Sequence, residues 1–164
     1  LESLQLLEKS GKELFTHFVG PYSENNILDI DKYSLGSKLR FYGYMNMLDG
    51  YELSRNSKIG ISILKPIDNY INSYSTKIFE YMAIGLPVIT SDFPLYKNII
   101  ESYNCGLCVD PLNPKAIAEA IDYLLNHPSE ATKMGENGYK LAVDKYNWAV
   151  EEEKLFNLYT ELLT

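Results

Sequence analysis

Between Ile59 and Ile89 the chain spells out strand, loop, helix, tight turn and strand, and that order leaves little choice of fold. Ile59 to Leu64 is a dense apolar run of strand length, read as buried on both faces. A polar stretch follows. From Ser75 or Thr76, either of which can cap a helix, an amphipathic segment carries Ile78, Phe79, Met82 and Ala83 toward a core. Gly85 ends it, Pro87 forbids continuation, and Val88-Ile89 begin the next strand. Two strands joined through one helix make a parallel pair with a right-handed crossover.

The flanking sequence repeats this alternation. Leu4, Leu6 and Leu7 mark a first helix that ends near Gly11, and 14–19 reads as a strand closed by Gly20-Pro21. A helix is expected over 26–35, with Ile27, Ile30 and Leu35 on its apolar side. A short strand over 39–42 ends in Gly43, and a helix follows over 47–55. Beyond Val88 come a helix over 94–102, a strand over 107–109, and helices over 114–126, 129–143 and 148–163. The second of these carries a possible break at Gly135 or Gly138. Tyr139, Tyr146, Trp148, Phe156 and Tyr159 recur along the last two and read as packing. The expectation is one α/β domain over 1–164 with a parallel sheet. Doubly wound folds usually open with a strand, and here a helix comes first. The start at Leu1, inside that helix and without Met, is read as a fragment of a longer protein.

Charge and cysteine content remove several function classes. The net charge of −7, from 15 basic and 22 acidic residues, argues against a broad nucleic-acid surface. It leaves room for a local basic pocket. No apolar run reaches the length of a membrane span, and no signal peptide is visible. Cys105 and Cys108 stand as Cys-x-x-Cys, but they precede and enter a strand, whereas a redox pair should open a helix. A zinc site would need two further ligands, and His17 and His127 are the only histidines. The pair reads as two small, largely buried thiols.

The chemistry concentrates on the loop before the central helix. A small-residue loop feeding a helix N-terminus suits an anion, because free amides and the helix dipole both point at it. Ser73, Tyr74, Ser75 and Thr76 form such a loop, and Lys77 adds a charge. The plainer reading is N-capping and a solvated lysine. Glu80, expected in the first turn, is placed to accept hydrogen bonds from sugar hydroxyls. Gly43-Tyr44-Met45 follows a strand, and Tyr44 is either an aromatic platform for a base or a half-buried turn residue.

The segment from Glu80 to Ile89, EYMAIGLPVI, resembles the second half of the donor-binding signature of retaining GT-B glycosyltransferases of the large family-four group. That signature has a Glu, seven residues, a second Glu, a small-residue turn and Pro-Val. Asn72 stands where the first Glu would be, eight positions before Glu80. The tail Tyr146-Asn147-Trp148 before a helix is similar too. The resemblance implies a three-layer Rossmann-like domain, the C-terminal half of a GT-B fold. It implies Glu80 on the donor ribose, residues 73–77 on the diphosphate, Asn72 near the reacting centre, and the loop at Gly43 and Tyr44 against the base. The donor would be a UDP- or GDP-linked sugar, used without a metal or other cofactor.

The same likeness puts the acceptor, a glycan or lipid-linked glycan, mainly on an N-terminal domain, so the isolated domain is expected to be inactive; it also carries the last helix back to that domain, so some of its apolar surface is expected to be exposed in this fragment. It also implies a cytoplasmic protein at work on bacterial cell-surface polysaccharides, with the inner face of the membrane as a further expected location. If it holds, the chain begins just after the first strand of the fold. Asn72 cannot carry the charge of the Glu it replaces, with Asp68 nearby as a candidate substitute. Two other readings stay open: a non-catalytic module that kept the fold, and half of a sugar-nucleotide epimerase.

Overall fold

The computed structural model describes residues 1–21, 35 and 38–163. Helix α1 (Glu2–Lys9) precedes strand β1 (Thr16–Phe18), which pairs in parallel with β2 (Leu39–Phe41). Helix α2 (Met47–Arg55) starts at Asn46, whose side chain accepts from the Asp49 amide and so caps it. Then come β3 (Gly60–Ser62), the single turn α3 (Asp68–Ile71), α4 (Thr76–Ala83), β4 (Val88–Ser91), α5 (Pro94–Ile100) and β5 (Gly106–Val109). Helices α6 (Pro114–Asn126), α7 (Pro128–Asp144) and α8 (Trp148–Leu163) complete the chain. The helix expected over 26–35 lies outside the described residues, apart from the buried Leu35.

Strands β3, β4 and β5 form one parallel sheet in that order. Side chains alternate across it, as a pleated strand requires. Val88 faces a cluster with Ile78, Met82, Tyr96, Ile100, Cys105 and Leu141, while Ile89 faces one with Leu7, Ile121, Leu124 and Met134. Helices therefore cover both faces, which is the three-layer arrangement. The single sheet expected from the sequence is two hydrogen-bonded groups instead, because among the described residues β1 pairs only with β2 and β3 only with β4. An apolar cluster joins them: Leu14, just before β1, belongs with Ile59 and Ile63 at the two ends of β3.

Close helix packing fixes the segment that contains the candidate loop and helix. Helix α4 ends in paired bonds from the Leu86 amide to the Tyr81 carbonyl and from the Gly85 amide to the Met82 carbonyl. That closure needs the left-handed φ of +76° that Gly85 adopts. Helix α7 lies against it and runs unbroken through Gly135 and Gly138. A Cβ at Gly135 would sit 2.1 Å from the Gly85 carbonyl oxygen, and one at Gly138 would sit 3.1 Å from Met82 Cγ. The glycines that predicted an interruption are contact points, and the regular helix survives because its neighbour leaves no room for side chains there.

Three further expectations need correction. Strand β3 is buried on one face only: Gly60 and Ser62 are covered, but Ile61 is exposed. It is an edge strand among the described residues, so one side of it has no neighbour. Ala83, read as inward-facing, is exposed, and only Ile78 and Met82 of α4 are buried. The C-terminal aromatics are mostly not packing residues. Tyr146 packs on Phe79, but Tyr139, Trp148, Phe156 and Tyr159 are all more than half exposed, and no residue of α8 is buried. Helical spacing describes a stripe; it does not supply a surface for the stripe to cover.

Both cysteines are free, and their surroundings oppose thiolate formation. Burial pushes the Cys105 thiol up to about 11 and, with help from Glu101, the Cys108 thiol up to about 12. Redox pairs shift the other way.

Candidate nucleotide-sugar site

The site is built on the connection from β3 to α4. The chain leaves β3 at Ser62, passes the single turn α3, and enters α4 through Asn72, Ser73, Tyr74 and Ser75. The turn α3 was not expected, since this stretch reads as loop throughout. It is stitched by its own polar groups: Asn72 Nδ2 donates to the Asp68 carbonyl at 3.1 Å, and the Ser73 hydroxyl donates to the Asn69 carbonyl.

Ser75 is the N-cap residue of α4, yet its side chain caps nothing. Its hydroxyl lies 3.0 Å from the Ser62 hydroxyl instead. The first turn of α4 therefore keeps amides free of a side-chain acceptor, at the positive end of the helix dipole. Thr76 and Lys77 are exposed, and Lys77 forms no ion pair among the described residues. Tyr74 is about half exposed and meets Phe79 edge-on at 5.6 Å.

Glu80 sits in the second turn of α4, not the first, half-buried beside Tyr81. Burial and the Glu80 charge together hold the Tyr81 hydroxyl above its ordinary pKa. Tyr81 lies tight against β3, and a Cβ on Gly60 would come within 2.3 Å of its ring. Helix α4 is thereby set against the sheet with Glu80 at the margin.

Gly43 and Tyr44 follow the carboxyl end of β2. Gly43 has a φ of +66°, and its carbonyl accepts from the Gly20 amide at 2.8 Å, which draws in the Gly20-Pro21 turn. Tyr44 is 87% exposed, so it is not the half-buried turn residue of the plainer reading. No hydrogen bond or ring contact links Gly43 or Tyr44 to the 72–80 segment among the described residues.

Sequence reasoning missed the polar groups beneath the loop. Ser62, Thr90, Ser91 and Tyr96 are all buried. Thr90 Oγ1 donates to the Ser62 carbonyl at 2.9 Å. Ser91 Oγ accepts from the Leu64 amide and donates to the Leu64 carbonyl. Tyr96 donates to the Tyr70 carbonyl at 3.2 Å. The available signal was Ser62 within an apolar run, since a buried hydroxyl needs a partner.

The fold has counterparts among solved structures. The family model "Glycosyl transferases group 1" matches residues 1–141. The chain belongs to that family. Its fold matches the C-terminal Rossmann-like domain of GT-B enzymes. It superposes on a sucrose-phosphate synthase from Thermosynechococcus elongatus with a TM-score of 0.83 and 22% identity, covering 99% of this chain and 42% of that one. Anabaena HepE, solved in complex with UDP-glucose, superposes at 0.74 with 14% identity over 97% of this chain and 52% of that one. The capsular polysaccharide biosynthesis glycosyltransferase CapM of Staphylococcus aureus is 31% identical over 84 residues, 51% of this chain and 22% of that protein. The curated relatives that it matches are much longer, and the matched part spans 22% to 32% of their length.

Among the described residues no helix is long and apolar enough to cross a membrane. A groove of about 530 Å³ between α1 and α6, lined by Leu6, Ser10, Ala118, Tyr123 and His127 among others, shares no residue with the 72–80 segment.

Proposed function

We propose that this group 1 domain binds the nucleotide of a sugar donor for a retaining glycosyltransferase. The observation that carries the reading is the uncapped N-terminus of α4, with the Ser75 hydroxyl turned away to Ser62 and Glu80 one turn further on. In this reading the amides and hydroxyls of residues 73–76, with Lys77, receive the diphosphate. Glu80 accepts from the two vicinal ribose hydroxyls, and the exposed ring of Tyr44 flanks the base. Asn72 lies toward the sugar. The complexes of HepE with UDP and UDP-glucose support a UDP-linked donor, with GDP as the competing case.

The chemistry is electrostatic stabilisation of a departing diphosphate against an oxocarbenium-like sugar. The acceptor, a glycan or lipid-linked glycan, would be held by another part of the full-length protein. The likeness to CapM supports a role in cell-surface polysaccharide assembly, on the cytoplasmic side of the membrane.

Calorimetric titration of the full-length protein with UDP, GDP and ADP tests this reading. One nucleotide should bind, and Glu80→Ala should weaken it about tenfold, since charge-assisted hydrogen bonds contribute about 1.5–3 kcal/mol. Absence of binding to all three would overturn the reading. The alternative is then a non-catalytic module that kept the fold. The one observation in its favour is Asn72, an uncharged side chain folded back onto the Asp68 carbonyl.

A further inference from the structure

The loop from Tyr70 to Ser75 is held from below at each end by a buried residue's hydroxyl, Tyr96 at one and Ser62 at the other. Tyr96 is on α5, and its ring is fully buried beside Phe93, with centroids 5.2 Å apart. Its hydroxyl donates to the Tyr70 carbonyl at 3.2 Å, where α3 ends. At the entrance to α4 the Ser75 hydroxyl lies 3.0 Å from the Ser62 hydroxyl of β3, and the Ser75 backbone is near enough to the Tyr96 hydroxyl to offset part of the upward pull that burial exerts on its pKa. Residues 71–74 are the span between these two attachments.

Core packing alone would be served by a phenyl ring, so the hydroxyl has a separate use. A short loop with exposed Asn72, Ser73 and Tyr74 would otherwise sample many conformations, and ordering it on binding would reduce affinity. We propose that Tyr96, seconded by Ser62, is a positioning residue that presets the 71–75 loop in its nucleotide-binding shape. It touches no ligand itself. The inference rests on the donor-binding reading above.

The test uses Tyr96→Phe, which deletes the hydroxyl and keeps the ring, in the full-length protein. Tyr123→Phe is the control, because it removes a hydroxyl that bonds Glu130 on the α6–α7 side. Hydrogen exchange by mass spectrometry and titration with UDP and GDP are read on each. In Tyr96→Phe, amides over 70–76 should exchange on the order of tenfold faster, and nucleotide affinity should fall about five- to tenfold. Peptides over 114–126 should be unchanged, and Tyr123→Phe should leave both loop exchange and affinity at wild-type values.

Should Tyr96→Phe fail to fold, Ser62→Ala takes its place with the same expected local signature. Wild-type binding with unaltered affinity in the variant overturns the positioning role and leaves the donor reading standing. So does weakening that Tyr123→Phe reproduces. Wild-type protein that binds neither nucleotide overturns the donor reading, and the positioning role with it, whatever the exchange rates.

Discussion

At the scale of single residues, the positions with least freedom are those where two backbones meet. Gly135 is the clearest case. An alanine in mid-helix normally gains about 1 kcal/mol over glycine. Here its Cβ would sit 2.1 Å from the Gly85 carbonyl oxygen, on a turn already fixed by two hydrogen bonds. Overpacking of that kind costs about 1–3 kcal/mol, and backbone cannot swing aside as a side chain can. Gly135→Ala should therefore lower the thermal midpoint; a rise on calorimetry would refute the close approach of α4 and α7.

The two thiols give a pH prediction. Their folded pKa values, about 11 and about 12, lie above the ordinary 9.0. Between those values the unfolded chain has lost protons that the folded chain keeps, so stability falls as pH rises. The contribution is complete below about pH 9 and is lost up to about 12. Urea midpoints should drop over that window in wild type and drop less in a Cys105→Ala/Cys108→Ala variant. The burial of the thiols is legible in the sequence, and the glycine contact is not. The sequence shows that Gly135 is a glycine, not that Gly85 lies opposite it, because that contact joins residues fifty positions apart.

At the scale of elements, the local signals were reliable where they were covalent or steric. Pro87, Gly85, Pro94 and Pro114 set their boundaries within a residue or two, since proline and a left-handed glycine act on the backbone directly. The failures concern what an element rests on. The aromatics of α8 read as packing by their spacing, while the family resemblance implies some exposed apolar surface on this helix, and none of its residues is buried. It should contribute little to the stability of this chain. Deleting residues 148–163 should change the unfolding free energy by less than about 1 kcal/mol, and amides of α8 should exchange near the free-peptide rate. Protection of α8 comparable to that of α6 would contradict this. The turn α3 was missed for a different reason. A run of Asp, Asn and Ser favours side-chain bonds to the backbone, and a single helical turn satisfies them as well as a loop does.

At the scale of the whole molecule, alternation of strand and helix was enough for the fold class, and the residues from Glu80 to Ile89 were enough for the family. The candidate site was legible only in its linear part. Residues 72–80 lie together because they are consecutive. The supports at Ser62, Thr90, Ser91 and Tyr96 come from three other elements, and no spacing rule connects them. If the donor reading holds, ligand and fold are linked. A nucleotide at a hundred times its dissociation constant should stabilise the protein by about 2.7 kcal/mol, a rise of roughly 5–10 °C in thermal midpoint for a domain of this size. Thermal scans with UDP and GDP should show that rise for one of them and lose about half of it in Glu80→Ala, whose tenfold weaker binding leaves about 1.4 kcal/mol.

The division of the strands into β1–β2 and β3–β4–β5 has a consequence beyond topology. Among the described residues, one long side of β3 presents backbone donors and acceptors without a neighbouring ladder, beside the exposed Ile61. Such an edge is adhesive: it will accept any extended segment that reaches it, from the same polypeptide or from another copy. For this chain handled by itself, that makes self-association through β3 a hazard that grows with concentration.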